Sequence, residues 1–84
     1  MVLHLTLHRQ WFDEVASGIK KIEYREIKPY WERRLDGHQF SEIHFRNGYR
    51  ADSPLMQVEC LGIVKNGRYE IHLGKILKTI NYAR

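Results

Sequence analysis

Alternating apolar and polar residues mark the first element of the chain. Leu3, Leu5 and Leu7 are each separated by a single polar residue. Because neighbouring side chains of a β-strand point to opposite faces, this spacing predicts a half-buried strand over residues 2–7. We expect one face of the strand to pack on a core and the other to meet solvent.

A short amphipathic helix is predicted next, over residues 9–17. Its apolar side chains recur at helical spacing, and Gly18 follows as a natural stop, because glycine readily adopts the left-handed conformation that ends many helices. Trp11 and Phe12 belong to the apolar side of this helix, and we expect both of them in the core.

Four further stretches have the pattern of strands, and one has the pattern of a second helix. Pro29 favours a helix start because its fixed backbone angle suits the first turn, and Asp36-Gly37 ends the same segment. We predict strands over residues 20–27, 40–45, 55–65 and 68–80, and the second helix over residues 29–35.

The last two predicted strands form a β-hairpin. They are separated by Asn66-Gly67, and a two-residue Asn-Gly loop between apolar runs is a strong hairpin signal. Gly62 and Gly74 interrupt these strands at places where a bulge would let the sheet curl. The side chains predicted to point inward are Met56, Val58, Cys60, Tyr69, Ile71 and Leu73.

Together these elements predict one domain over residues 1–84 with an α+β, mostly β, fold. We expect a small, partly closed β-barrel of about five strands, with one or two helices packed outside it. No apolar run approaches the length of a membrane span, and the N-terminus lacks the pattern of a signal peptide. We therefore expect a cytoplasmic protein. We also expect a monomer.

Charge is unevenly distributed along the chain, which has a formal net charge of +4 and an isoelectric point near 9.4. Basic residues outnumber acidic ones by three within residues 20–34 and by four within residues 65–84. This asymmetry suits a polyanionic partner. A solvated basic surface that maintains solubility is the alternative.

The histidines and the single cysteine predict neither a metal site nor a cofactor. A spacing of four residues in an extended chain separates His4 and His8 by about 13 Å, which is too far to share an ion. The other three histidines lack acidic or cysteine partners at ligand spacing. Cys60 lies in an apolar run and is expected to be a buried structural thiol.

The segment Gly18–Arg25 concentrates ionisable residues just after the first helix. Gly18 permits the tight reversal that brings Lys20 to the start of the next strand, and Glu23 and Arg25 share one face of that strand. A lysine desolvated in a cleft can act as a base or nucleophile, and an arginine fork can hold a phosphate or carboxylate. The alternative is a solvent-exposed strand face with a weak Glu23–Arg25 ion pair.

The spacing Gly-x-Lys-x-x-Glu-x-Arg resembles the signature of ASCH domains, and it follows the first helix as it does in that family. The motif residues here are Gly18, Lys20, Glu23 and Arg25. The resemblance covers nearly the whole chain, and the stretches EYREIKPYWERRL and HFRNGYR look like a compact subgroup from bacteria and their phages. It implies a PUA-like β-barrel whose cleft, between the first helix and the barrel mouth, binds RNA or nucleotides.

The resemblance implies roles for the motif in a binding protein or in an enzyme. In a binding protein, Lys20 and Arg25 contact phosphate, while Glu23 orients Lys20 or accepts a hydrogen bond from a base or ribose. Some members of the family are amidohydrolases acting on an acylated cytidine, and some are ribonucleases. In such an enzyme Lys20 would be the base or nucleophile, and Glu23, where amidohydrolase members have threonine, would carry a proton. Their further acidic residue, from a later strand, would be Glu59 or Glu70.

Two basic and aromatic clusters lie outside the motif. In the loop over residues 46–50, Arg46, Asn47 and Tyr49 would complete the cleft wall, since arginine holds phosphate and tyrosine stacks on bases. The alternative is an ordinary turn with Tyr49 folded back on the core. The second cluster consists of Tyr30, Trp31, Arg33 and Arg34. Its Trp31 is expected to anchor the short second helix in the core. A module that binds another protein is a third hypothesis for the whole chain.

Overall fold

The structure, a computed structural model, describes residues 1–83. Within them the fold is α+β and mostly β, as predicted: five strands form one curled half-barrel sheet, and there are two helices. In chain order the elements are β1 (Val2–Thr6), α1 (Arg9–Ala16), β2 (Ile22–Arg25), α2 (Pro29–Leu35), β3 (Glu42–Arg46), β4 (Leu55–Lys65) and β5 (Tyr69–Ile80). The predicted boundaries differ from these by two residues at most.

The order of the strands leaves the half-barrel open on one side. The sheet runs β1-β3-β4-β5-β2, with β1 parallel to β3 and the other pairs antiparallel. β1 and β2 are therefore the two edges. Helix α2 contacts both of them, because Arg34 donates a hydrogen bond to the His4 main-chain oxygen of β1 at 3.4 Å. The Arg25 guanidinium of β2 lies 5.2 Å from the ring centroid of Trp31.

Bulges in the long β4–β5 hairpin bend the sheet. The register shifts three times between Gln57 and Gly62, and such irregularities bend a strand and increase its twist. Gly62 has a φ of +138°, which would strain any side chain. A Cβ atom at Gly74 would overlap the carboxylate of Glu59. The irregularities predicted at the two glycines are confirmed.

The turn of the hairpin is one residue longer than predicted. Lys65 lies opposite Tyr69, so three residues connect the strands, and the Asn66 N–H donates to the Arg68 main-chain oxygen at 2.8 Å. Gly67 is left-handed, with a φ of +71°, whereas Asn66 is not. A two-residue loop of the kind that favours Asn-Gly needs positive φ at both positions, which explains the difference.

The core forms on the inner face of the half-barrel, and the inward pattern predicted for the hairpin is confirmed. Of the side chains in that pattern, Cys60 is only partly buried, and it packs against the core. Phe12 is fully buried, but Trp11 is 40% exposed, so the expectation of Trp11 in the core is wrong. Trp31 packs against the core from α2, as expected. The buried apolar residues are Leu3, Leu5, Leu7, Phe12, Val15, Leu35, Ile43, Phe45, Met56, Val58, Tyr69, Ile71 and Leu73.

A polar cluster ties the end of α2 to the hairpin. The hydroxyl of the buried Tyr69 donates to Asp36 Oδ1 at 2.6 Å, and Lys65 Nζ lies 3.2 Å from Asp36 Oδ2. Burial, together with the Asp36 hydrogen bond, raises the pKa of Tyr69. The hydrogen bond to Asp36 raises the pKa of Lys65. The hydrogen bonds from Tyr69 and Lys65 lower the pKa of Asp36.

The free energy of unfolding is expected to fall as the pH rises above about 10. The pKa values of Tyr69 and Lys65 are raised in the folded protein, so the unfolded chain loses these protons first and is stabilised as the pH rises. Urea denaturation at about pH 8 and about pH 11 measures the change. Tyr69→Phe should make the fall shallower, while Tyr30→Phe, at an exposed position, should not. An equally steep fall in Tyr69→Phe would contradict this linkage.

Candidate functional site

The inner face of β2 is polar. In the antiparallel pairing with β5, Glu23 lies opposite Ile71 and Arg25 lies opposite Tyr69, and both partners are buried in the core. Because side chains alternate along a strand, Glu23 and Arg25 point inward with these partners. Tyr24 points outward and is 37% exposed. Since β2 is an edge strand, its polar face is turned toward the opening of the half-barrel.

One buried carboxylate pairs with two cations. The Glu23 side chain is 5% exposed, its Oε1 lies 3.3 Å from Lys20 Nζ, and its Oε2 accepts a hydrogen bond from Arg25 Nη1. The side chains of Lys20 and Arg25 are 17% and 20% exposed, so each cation reaches solvent. A buried charge is tolerated when it is paired and hydrogen-bonded, which accounts for Glu23 on the inner face. The trio keeps one uncompensated positive charge.

The end of α1 places Lys20 beside Glu23. Gly18 is left-handed, with a φ of +82°, and the Lys20 N–H donates to the Glu14 main-chain oxygen at 3.0 Å. This reversal needs a conformation that residues other than glycine rarely adopt. Lys20 Nζ lies 5.3 Å from the ring centroid of Trp11 and 5.7 Å from that of Tyr24. Two aromatic rings therefore add cation–π attraction to the ion pair.

A cleft of about 400 Å³ opens beside these side chains. It lies between the end of β1, the start of α1 and β2, which is where the half-barrel fails to close. Both cations and the carboxylate face it. Its lining residues are Thr6, Leu7, His8, Trp11, Lys20, Glu23, Tyr24 and Arg25.

The free edge of β1 adds main-chain groups to the cleft wall. The Leu7 N–H donates toward β3, to the Arg46 main-chain oxygen at 2.9 Å, whereas the His4 oxygen accepts from Arg34 on the opposite side. Along a strand, the main-chain N–H and C=O groups of every second residue point to the same side. The main-chain groups of Thr6 therefore lie on the free edge of β1, as those of His4 do. Thr6 therefore presents an N–H donor and a C=O acceptor at the cleft.

The loop after β3 flanks the cleft without lining it. Asn47 Nδ2 donates to the Leu7 main-chain oxygen at 2.9 Å, which fastens the loop to the end of β1. Arg46 Nη1 reaches the Arg50 main-chain oxygen at 3.4 Å. Tyr49 is 90% exposed, so the alternative in which Tyr49 folds back on the core is wrong. Asn47 and Tyr49 line an adjoining compartment of about 270 Å³ instead.

The acidic residues of the later strands do not reach the cleft. Glu59 points to the outer face of β4, and its Oε1 accepts a hydrogen bond from the Lys75 N–H at 3.4 Å. Glu70 points to the outer face of β5, with its Oε1 3.6 Å from His72 Nε2. The expectation that one of them completes the site is therefore not met. Of the described residues that line the cleft, Glu23 alone carries a carboxylate.

Five lining residues were not predicted from the sequence as part of a site: Thr6, Leu7, His8, Trp11 and Tyr24. Trp11 stands at the edge of the apolar stripe of α1, and helical spacing does not tell which edge of a stripe is left exposed. Thr6 ends β1, which is the edge of the sheet opposite β2, and His8 follows it just before α1. Only the curl of the sheet brings that edge near the motif, and no local pattern encodes it.

No protein-family model, curated protein or solved structure matches the chain. Among residues 1–83, no three His, Cys, Asp or Glu side chains are grouped so that they could hold a metal ion. Neither helix of this part of the chain is long and apolar enough to cross a membrane. The function is therefore inferred from the residues of the cleft themselves.

Proposed function

We propose that the cleft binds RNA or a nucleotide, with Lys20 and Arg25 holding a phosphate. The observation that carries the proposal is the pair of cations fixed on one buried carboxylate, at the wall of a cleft of about 400 Å³. The uncompensated positive charge of this trio favours an anionic ligand. Charge-assisted hydrogen bonds of this kind are the strong ones in phosphate recognition.

Arg25 is arranged to bind a phosphate while it stays fixed in place. Its hydrogen bonds to described residues use Nη1, which donates to Glu23 and to the Tyr24 main-chain oxygen at 3.0 Å. A guanidinium carries five N–H donors in a planar fork, so Nε and Nη2 remain for phosphate oxygens. The pairing with Glu23 orients the fork before the ligand arrives, which lowers the entropic cost of binding.

The remaining walls fit a base and a ribose. Trp11 is 40% exposed at the rim, and an aromatic ring in such a position can stack on an unpaired base. The Thr6 main-chain groups supply one donor and one acceptor for a base edge or a ribose hydroxyl. The cleft thus combines the three kinds of contact that a nucleotide requires.

Binding is proposed in preference to hydrolysis because of how Glu23 is engaged. Both of its oxygens are paired with cations, so it is committed to holding Lys20 and Arg25 rather than to carrying a proton. The resemblance of the motif to ASCH domains supports a cleft for RNA or nucleotides. We therefore propose the chain as a compact ASCH-like member of the PUA-like superfamily that binds its ligand without transforming it.

An NMR titration of the isotope-labelled protein tests the proposal. Uridine monophosphate and short single-stranded RNA should shift the amide signals of two segments, residues 6–11 and 18–25, because these segments line the cleft. The shifts should persist at moderate salt, since a shaped site adds contacts that salt does not screen. No shifts, or shifts spread over all lysines that vanish with modest salt, would refute a specific site.

A further inference from the structure

The cleft continues into a second compartment. This compartment, of about 270 Å³, shares Thr6, Leu7 and His8 with the cleft, so the two form one groove across the end of β1. Beyond these shared residues it is lined by Arg9, Asn47, Gly48 and Tyr49. A ligand anchored at Lys20 and Arg25 can therefore extend past His8 toward Tyr49 without crossing the body of the protein.

The loop that carries Tyr49 is held in one conformation by hydrogen bonds at both ends. The Asn47 N–H donates to the Pro54 main-chain oxygen at 3.0 Å, and the Asn47 side chain is fastened to β1. The buried Ser53 hydroxyl accepts from the Arg50 N–H at 2.9 Å. A Cβ atom at Gly48 would lie 2.7 Å from Ser53 Oγ, so glycine is required for the loop to close on this hydroxyl.

Tyr49 is therefore an exposed aromatic ring on an ordered support. The Tyr49 side chain is 90% exposed, although hydrogen bonds hold the loop on both sides of it. The ring therefore faces solvent and does not pack against the protein. Tyrosine offers a large stacking surface at a low entropic cost, and a base of any identity can stack on it.

We infer that Tyr49 forms a second base-stacking subsite, so that the ligand is single-stranded RNA of at least two nucleotides rather than a free mononucleotide. This inference rests on the proposed function of the cleft, which holds the first phosphate. The neighbouring base then stacks on the ring of Tyr49. The preference for a longer ligand comes from this ring and not from charge alone.

Calorimetric titration with uridine monophosphate and with its 5′-phosphorylated dinucleotide tests the inference. The dinucleotide should bind the parent protein about tenfold more tightly than the mononucleotide, which is the scale of one base–aromatic stack. In Tyr49→Ala this advantage should shrink to about twofold, and in Tyr49→Phe, which keeps the stacking face, it should be retained. Tyr30→Ala, which removes a 52% exposed ring outside both compartments, is the matched control and should keep the advantage.

The outcomes separate this inference from the proposed function. The second subsite is wrong if the two ligands bind the parent equally, or if Tyr49→Ala keeps the full advantage of the dinucleotide. Because Tyr49→Ala changes no charge, the extra phosphate of the dinucleotide cannot account for a loss. If neither ligand binds the parent, the proposed function fails and the second subsite fails with it. Amide spectra of each variant check that the fold is intact.

Discussion

Lys20→Ala and Arg25→Ala are each expected to weaken binding of a short single-stranded RNA by about tenfold, the scale of one lost charge-assisted contact. Each variant should also make the dependence of affinity on salt shallower, by about 0.7 in the logarithmic slope, because one fewer phosphate is neutralised. Fluorescence anisotropy of labelled oligouridylate over a range of salt concentrations gives both quantities.

Single variants are preferable to the double variant for a structural reason. In each single variant Glu23 keeps one of its two cations, whereas the double variant would leave a buried carboxylate without a partner. Lys75→Ala and Lys78→Ala are matched controls, since both residues are exposed lysines outside the cleft. Equal losses in the controls and in the cleft variants would indicate unspecific attraction to a basic surface, and the assignment of the cleft would then be wrong.

Glu23→Ala is expected to lower the free energy of unfolding by about 2–3 kcal/mol. Removing one member of a buried ion pair leaves its partners close together with uncompensated charge, which in buried sites costs about 3–5 kcal/mol. The estimate here is smaller because Lys20 and Arg25 are 17% and 20% exposed and keep part of their hydration. Urea denaturation of the parent and the variant measures the difference.

The control for Glu23→Ala is the loss of an exposed carboxylate nearby. Glu26 pairs with Lys28 at the surface, with a side chain that is 78% exposed, so Glu26→Ala should change stability by less than about 0.5 kcal/mol. A double-mutant cycle with Lys20→Ala isolates the coupling between Glu23 and Lys20. Unchanged stability in Glu23→Ala would mean that the carboxylate is not required to hold the two cations.

The pattern of neighbouring residues was sufficient to predict the secondary structure, because the residues that start, end or shape each element lie within that element or next to it. Pro29 and Asp36-Gly37 bound α2, and the alternation in the hairpin marks which side chains of β4 and β5 are buried. The bulges at Gly62 and Gly74 were likewise predicted from single residues. Such features depend on backbone conformations and on the spacing of a few neighbours.

Local pattern also placed Glu23 and Arg25 on one face of β2, but it did not tell which face is inside. Alternation reports only relative orientation, and the inward direction is set by pairing with Ile71 and Tyr69 of β5. Burial of a carboxylate is tolerated there because Lys20 arrives from the turn at Gly18.

The sequence by itself determined the elements, the mostly β class and the grouping of the motif residues. The tertiary structure alone decided that Trp11 lines a cleft and that Tyr49 is exposed in a compartment next to it. Each of these depends on how a bent sheet brings its two edges together. That curvature is a property of the whole sheet, so it has no signature in the spacing of neighbouring residues.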